Sequence, residues 1–251
     1  MQYTLKKSLG QHFLKDENIS RNIVSALTKH SFNQLLEIGP GAGALTKFLL
    51  QLDNIEFKAI ELDDEKIEYL LQTYPSIKNK LIHKDFLKAD IPFENNFVIV
   101  GNFPYNISSQ ILFKTLEWKD NVPLMIGMFQ KEVAQRIASK PNSKIYGILS
   151  VLVQAFYNVE YLFDVSPLSF TPPPKVVSGV IELTIKNEAA KMRTEKDFFL
   201  LVKTAFNQRR KKLRNAVRNL FTEDILQLEI FDKRAEQLSV EDFAALTFKM
   251  K

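Results

Sequence analysis

Over the first 190 residues, short solid apolar runs alternate with apolar positions spaced three and four apart. That pattern predicts strands and helices in turn. Asp16 is placed to cap a helix with Ile19, Ile23 and Leu27 on one side. Gln34–Ile38 reads as a buried strand and 43–52 as a helix with Leu45, Phe48, Leu49 and Leu52 inward. Glu56–Glu61 reads as a strand, and Asp64–Tyr74 as a helix with Ile67, Leu70 and Leu71 inward. Lys80–His83 is a short strand and Phe97–Val100 another, followed by a helix over Ile107–Glu117. Pro123–Phe129 is a strand with a helix over 131–139, and the apolar runs 148–156 and 176–185 read as closing strands. Such alternation predicts an α/β fold with a mostly parallel sheet covered on both faces. After residue 190 the pattern is helical only, over 196–207, 210–220 and 240–248. Residues 1–15 read as an irregular basic arm, and Pro172–Pro174 as a stiff local connector. A boundary at 190 gives a first domain, 1–190, and a small all-helical second domain, 191–251.

Composition narrows the class. The 251 residues are 45% hydrophobic and 25% charged, values of a packed globular chain rather than a disordered or fibrous one. Without cysteine there is no disulfide framework, thiolate zinc site or cysteine nucleophile. The three histidines, 12, 30 and 83, are too scattered for a metal set, so no metal is expected. No apolar run approaches the ~18 residues of a bilayer span, and the start lacks the apolar core of a secretory signal. The expected localisation is cytoplasmic.

The net charge of +5 is unevenly placed. Residues 1–190 carry 20 basic and 20 acidic groups, whereas 191–251 carry 14 and 9. Lys203, Arg209, Arg210, Lys211, Lys212, Arg214 and Arg218 fall within 203–218 with no acid among them. If 206–220 is one helix, Phe206, Leu213, Val217 and Leu220 share a buried face, and Arg210, Arg214 and Arg218 line an adjacent stripe. A one-signed patch suggests a polyanion partner; a solvated helix face is the competing reading.

Two turns hold candidate chemistry. The strand 34–38 runs into Glu37-Ile38-Gly39-Pro40-Gly41-Ala42-Gly43, which holds three of the chain's eight glycines. Glycines there let backbone approach a ligand, at the place where doubly wound folds bind one. The G-x-G-x-G spacing is neither the dinucleotide fingerprint nor a phosphate loop ending in Lys-Ser/Thr. Glu61 ends the next strand, where a carboxylate can accept both hydroxyls of an adenosine ribose. Asp85, alone a loop or N-cap acid, could accept from an adenine amino group. Together these residues favour S-adenosylmethionine over NAD.

The second turn is Gly101-Asn102-Phe103-Pro104-Tyr105-Asn106, just past the strand at 97–100. The exocyclic amine of a nucleobase is a poor nucleophile because its lone pair is delocalised into the ring. Two acceptors at its hydrogens would draw it toward a tetrahedral shape. Asn102 offers a side-chain carbonyl, and Phe103 a backbone carbonyl biased to an extended shape by Pro104. Tyr105 can stack on the base. The competing reading is a plain turn with Asn106 capping the next helix.

At this point the residues resemble a family: the small-subunit (16S) ribosomal RNA adenine dimethyltransferases of the KsgA/RsmA type. The likeness rests on Leu9–Leu14, the Leu36–Thr46 glycine segment, Gly101–Ser109, Phe129–Ala134, Tyr146–Val151, Phe170–Ser178, Phe206–Asn215 and Arg234–Ser239. It covers nearly the whole chain. It implies a Rossmann-like S-adenosylmethionine-dependent methyltransferase domain with a small all-helical C-terminal domain. The implied activity is dimethylation of N6 on two adjacent adenines in a hairpin near the 3′ end of 16S rRNA, during assembly of the small ribosomal subunit. By motif match the cofactor would meet His12, Leu14, Gly39, Gly41, Glu61, Asp85 and Asn102, leaving as S-adenosylhomocysteine. Asn102, Phe103, Pro104 and Tyr105 would be catalytic. Arg209, Arg210, Lys211, Arg214 and Arg218 would bind RNA. The partner would be 16S rRNA in the small subunit or its precursor, with no membrane, and the protein would act as a monomer. His12 occupies a position often Asn in the family, and the C-terminal end is short. A large-subunit adenine methyltransferase of the resistance type shares the loop and turn, but differs after residue 170. A non-catalytic nucleic-acid-binding relative is opposed by the intact Asn102–Tyr105 turn.

Overall fold

The computed structural model describes residues 12–251, and the Leu9–Gln11 end of the N-terminal motif, with most of the basic arm, lies outside them. The chain forms two compact units: one of residues up to Ala134 with Glu160–Ile185, the other of Gln135–Val159 with Lys186–Lys251. The boundary expected at 190 assigns 135–159 to the first unit; those residues fold with the second.

In chain order the strands are β1 (Phe13–Leu14), β2 (Gln34–Ile38), β3 (Glu56–Glu61), β4 (Leu81–His83), β5 (Val98–Asn102), β6 (Leu124–Gln130), β7 (Tyr157–Val165), β8 (Phe170–Thr171) and β9 (Ser178–Ile185). The helices are α1 (Glu17–Leu27), α2 (Thr46–Leu49), α3 (Asp64–Thr73), α4 (Ser108–Glu117), α5 (Lys131–Ile137), α6 (Ile148–Gln154), α7 (Glu195–Asn207), α8 (Leu213–Val217) and α9 (Val240–Thr247).

Seven strands form one sheet in the order β4-β3-β2-β5-β6-β9-β7. β2 to β6 run parallel, and β9 pairs antiparallel with β6 from Leu124↔Thr184 to Gln130↔Ser178. β2 is buried along its whole length and β6 nearly so, as expected for central strands covered on both faces, and β6 reads as a solid apolar run over Leu124–Phe129. On one face Leu35, Phe57, Val98 and Ile126 meet Ile23 and Leu27 of α1, Leu49 of α2 and Leu70 of α3. On the other, α4 buries Ile111 and Leu112, and Thr115 donates to the Met125 sulfur at 3.6 Å. Trp118 meets Phe86 and Phe97 edge-on, at 5.3 and 6.0 Å between ring centres. Each such fully buried side chain contributes roughly 1.5–3 kcal/mol of transfer free energy. Asp16 caps α1 as its sequence position predicts, accepting from the Asn18 N–H at 3.0 Å.

The chain leaves β2 for β3 on one side and later enters β5 on the other. Neighbouring loops diverge at such a reversal and open a crevice past the strands' carboxyl ends.

In the second unit α7 buries Phe198, Leu201, Val202 and Ala205 on one face, with Thr194 accepting from the Asp197 N–H at its start. Phe206 lies between the rings of Tyr146 and Phe243, and Phe221 meets Phe231 edge-on. Single-turn 3₁₀ helices at 218–220, 225–227, 229–232 and 235–237 link α8 to α9.

Several expectations are corrected. The run 148–156 is not a strand: α6 occupies 148–154 and begins with the Gly147 N–H donating to Ser150 Oγ at 3.0 Å. A solid apolar run suits a wholly buried helix as well as a buried strand, and α6 is buried nearly all round. β7 has no counterpart in the apolar pattern, because most of its residues are partly or fully exposed. The 43–52 helix shrinks to α2, since residues 41–45 turn instead. The 210–220 helix shortens to α8 plus a 3₁₀ turn, and the continuous 206–220 helix is broken where Lys212 turns extended (φ −58, ψ 145). Arg210, Arg214 and Arg218 therefore form no stripe on a single helix. The irregular arm ends in a strand: β1 pairs with β8 through Phe13↔Thr171 and Leu14↔Phe170.

Candidate active site

A cavity of about 240 Å³ fills the crevice between β2 and β5. Its lining includes His12, Leu14, Gly39, Gly41, Glu61, Asp85 and Asn102, all the residues expected to meet a cofactor. Phe103, Pro104 and Tyr105 line it too. The two turns separated by some sixty residues thus share one space, and a methyl placed on Gly39 would come within 3.9 Å of Pro104 Cδ.

The glycine loop has the conformation its composition implies. Gly39, Gly41 and Gly43 all take positive φ, +66°, +56° and +81°. A Cβ on Gly41 would press on the Phe13 ring at 3.3 Å, and one on Gly43 would run into Tyr74. Backbone is thereby exposed to the cavity on one side and packed on the other.

The Glu61 carboxylate is held by three backbone donors. Oε1 accepts from the N–H groups of Leu62 (2.8 Å) and Asp63 (3.0 Å), and Oε2 from that of Gly41 (3.1 Å). This fixes the carboxylate at the tip of β3. Asp85 caps the short 3₁₀ turn 86–88 by accepting from the Leu87 N–H at 3.0 Å, so the cap role and the cavity position coincide in one residue.

The Asn102 turn is clamped from below. Phe103 is buried, edge-on to Phe129 at 5.1 Å. A Cβ on Gly101 or Gly127 would strike its ring, so both strands yield space to it. Its side chain is core; only its backbone is offered to the cavity. Asn102 Nδ2 points at the His12 carbonyl, at a long 3.4 Å, which leaves Oδ1 as the acceptor. Asn106 does not cap α4: the N-cap residue is Ile107 with no side-chain cap, and Ser108 Oγ donates to the Tyr105 carbonyl at 3.1 Å. Tyr105 OH bonds Ser178 Oγ at 2.6 Å, and burial raises its pKa, keeping it a neutral phenol. His12 bonds the Pro172 carbonyl through Nδ1 at 2.9 Å, and its ring lies 5.7 Å from that of Tyr105.

The cavity lining also includes Glu37, to which the sequence pattern gives no role. Glu37 is fully buried, accepts from Thr46 Oγ1 at 2.7 Å, and has its pKa pushed up to about 8. Loss of hydration is the main cause; the Thr46 bond opposes it and the Glu61 charge adds to it. Its signal in the sequence is an acid between Leu36 and Ile38 in a strand that reads as buried.

In the second unit four of the six cations of 209–218 pair with three acids further along the chain. Arg209 pairs with Glu236 and also donates to the carbonyl of Lys144. Lys212 and Arg214 both pair with Asp232, at 2.6 and 2.8 Å, and Arg218 with Glu223 at 3.3 Å. Arg210 and Lys211 are exposed and have no ion pair among the described residues.

The family model of ribosomal RNA adenine dimethylases matches residues 2–249. The chain belongs to the ribosomal RNA adenine dimethylase family. It is accordingly a methyltransferase acting on adenines of ribosomal RNA, with the Rossmann-like architecture that the resemblance implied. It is similar to the ribosomal RNA small subunit methyltransferase A of Flavobacterium johnsoniae, 56% identical over 98% of this chain and 95% of that one. That of Cytophaga hutchinsonii is 53% identical over 96% and 95%. Among solved structures, a dimethyladenosine transferase from Plasmodium falciparum aligns with a TM-score of 0.78 at 27% identity, covering 92% of this chain and 94% of that one. The 23S rRNA methyltransferase ErmE shares the fold, with a TM-score of 0.68 at 22% identity over 93% and 99%. Among the described residues, no helix is long and apolar enough to cross a membrane.

Proposed function

We propose that the protein dimethylates N6 of two adjacent adenines in a hairpin loop near the 3′ end of small-subunit (16S) rRNA, with S-adenosylmethionine as donor. The observation that supports this most is the shared cavity. It sets the Asn102–Tyr105 turn beside the glycine loop and the fixed Glu61 carboxylate. The lining fits the donor: positive-φ glycines offer bare backbone, Glu61 an oriented acceptor for ribose hydroxyls, and Asp85 an acceptor for an adenine amine. His12 and Leu14 would close over it. When bound, the donor supplies an electrophilic methyl group on a sulfonium.

The chain's own work is to position and to accept hydrogen bonds. Asn102 Oδ1 and the Phe103 carbonyl would take the two N6 hydrogens, turning the lone pair out of the ring plane and toward the methyl. Pro104 holds the Phe103 carbonyl in place, and Tyr105 would stack on the base. No side-chain base is needed, because the alkylated amine is acidic enough to lose its proton to water. A loop adenine enters such a pocket at lower cost than a paired one.

Arg209, Arg210, Lys211, Arg214 and Arg218 are assigned to the RNA side. Arg210 and Lys211 would meet phosphates directly, while Arg209 and Arg214 shape the surface through their ion pairs. Phosphate contacts of this kind set register rather than read sequence. We place the enzyme in the cytoplasm, acting as a monomer on the small subunit or its precursor.

The test is incubation with undermethylated small subunits and labelled donor, followed by mass analysis of rRNA fragments. Two adjacent dimethylated adenines are expected; label elsewhere or none would defeat the reading.

A further inference from the structure

Ser178 lies at the start of β9 and is fully buried, paired across the sheet with Gln130. Its hydroxyl meets Tyr105 OH at 2.6 Å, a contact spanning 73 residues of sequence. The rest of Tyr105 is also restrained. Ser108 holds its carbonyl, and the His12 ring, anchored to Pro172, flanks its own. A tyrosine ring is set by two side-chain torsions; its hydroxyl lies on the axis of the second, so a hydrogen bond at the far end fixes the first and with it the place of the ring, while the neighbouring His12 ring limits the second.

We propose that Ser178 is a positioning residue for methyl transfer, acting through the Tyr105 hydroxyl to fix the place of the ring on which the target base rests. This rests on the reading of Tyr105 as the stacking platform. Ser178 itself touches no substrate. The geometry of attack on a methyl group tolerates little error, and a displacement of about 1 Å at the reacting atoms can cost on the order of a hundredfold. Fixing the ring's position from the sheet, and not only from the turn, ties the base to the same rigid element that positions the donor. The same platform must hold the base again after the first methyl is in place, so loosening it should also leave more monomethyl product.

The experiment compares Ser178→Ala, Tyr105→Phe and the double variant on undermethylated small subunits, with S-adenosylmethionine affinity measured by calorimetry. Ser178→Ala should lower kcat about tenfold, the scale of one buried hydrogen bond, and raise the share of monomethyl adenine. KM for the subunit should stay within about twofold, and the double variant should be no worse than Tyr105→Phe, as expected for two groups acting through one bond. Wild-type kcat in Ser178→Ala, or losses that multiply in the double variant, would overturn the proposal. If Ser178→Ala does not fold, Tyr105→Phe decides: a similar loss supports the proposal and full activity overturns it. Asn102→Ala separates the two levels of inference. If it is inactive while Ser178→Ala is fully active, only the Ser178 role fails; if it is active, the underlying assignment of the turn fails.

Discussion

Gly41 donates its backbone N–H to Glu61 Oε2 at 3.1 Å. One bond thus joins the loop after β2 to the tip of β3, so the bare backbone and the carboxylate that would face the donor are held as one piece. Gly41 reaches that position only with φ at +56°, a conformation costly for residues with a side chain.

Asn102→Ala removes the acceptor proposed for the N6 amine while leaving the glycine loop and Glu61 in place. S-adenosylmethionine affinity should change little and kcat should fall by roughly 10²–10³, as when one transition-state hydrogen-bond partner is removed. Calorimetry and turnover on undermethylated subunits measure the two halves; unchanged turnover contradicts the assignment.

Glu37 predicts a pH dependence of stability. Its pKa rises from 4.5 to about 8 on folding, so between those values the folded state holds a proton that the unfolded state has released. Stability from this group is therefore complete below pH 4.5 and declines as pH rises toward 8, by about 1.4 kcal/mol per pH unit. Urea midpoints in that window should slope less in Glu37→Gln than in wild type. Parallel slopes would mean that Glu37 is ionised in the folded protein.

Gly43→Ala combines a strained φ of +81° with a Cβ driven into the Tyr74 ring. The expected cost is about 1–3 kcal/mol, read as a lower denaturation midpoint, with weaker donor binding because the loop must shift. A midpoint equal to wild type would show that Tyr74 yields freely.

Gly127→Ala attacks the turn from beneath. The new methyl overlaps the Phe103 ring and lies 2.8 Å from Phe129. Overpacking of this kind costs typically 1–3 kcal/mol. Moving Phe103 also displaces the carbonyl that follows its ring, so kcat should fall more than donor affinity. A loss of stability with kcat preserved would separate the ring from the chemistry.

Charge reversal at Arg210 and Lys211 should weaken RNA binding and flatten its salt dependence by about one unit of slope per lost phosphate contact. Arg214→Glu differs, because it breaks the pair with Asp232, so it should lower the denaturation midpoint as well. A salt slope identical to wild type in the Arg210 and Lys211 variants would leave those residues as solvated surface.

The parallel sheet, the glycine loop, the acids at the ends of β3 and β4 and the Asn102–Tyr105 turn are legible in the order of residues alone. Those signals are local: solid apolar runs, glycines where φ must be positive, a proline that restrains its neighbour. Contacts between distant segments arise only on folding. The run 148–156 became a helix because burial on all sides leaves no periodicity to read. The acid-free stretch 203–218 acquired acids only when 223–236 folded against it, since ion pairs form in space and not along the chain. Ser178 met Tyr105 because β9 runs antiparallel beside β6, a register that no pattern within either segment specifies.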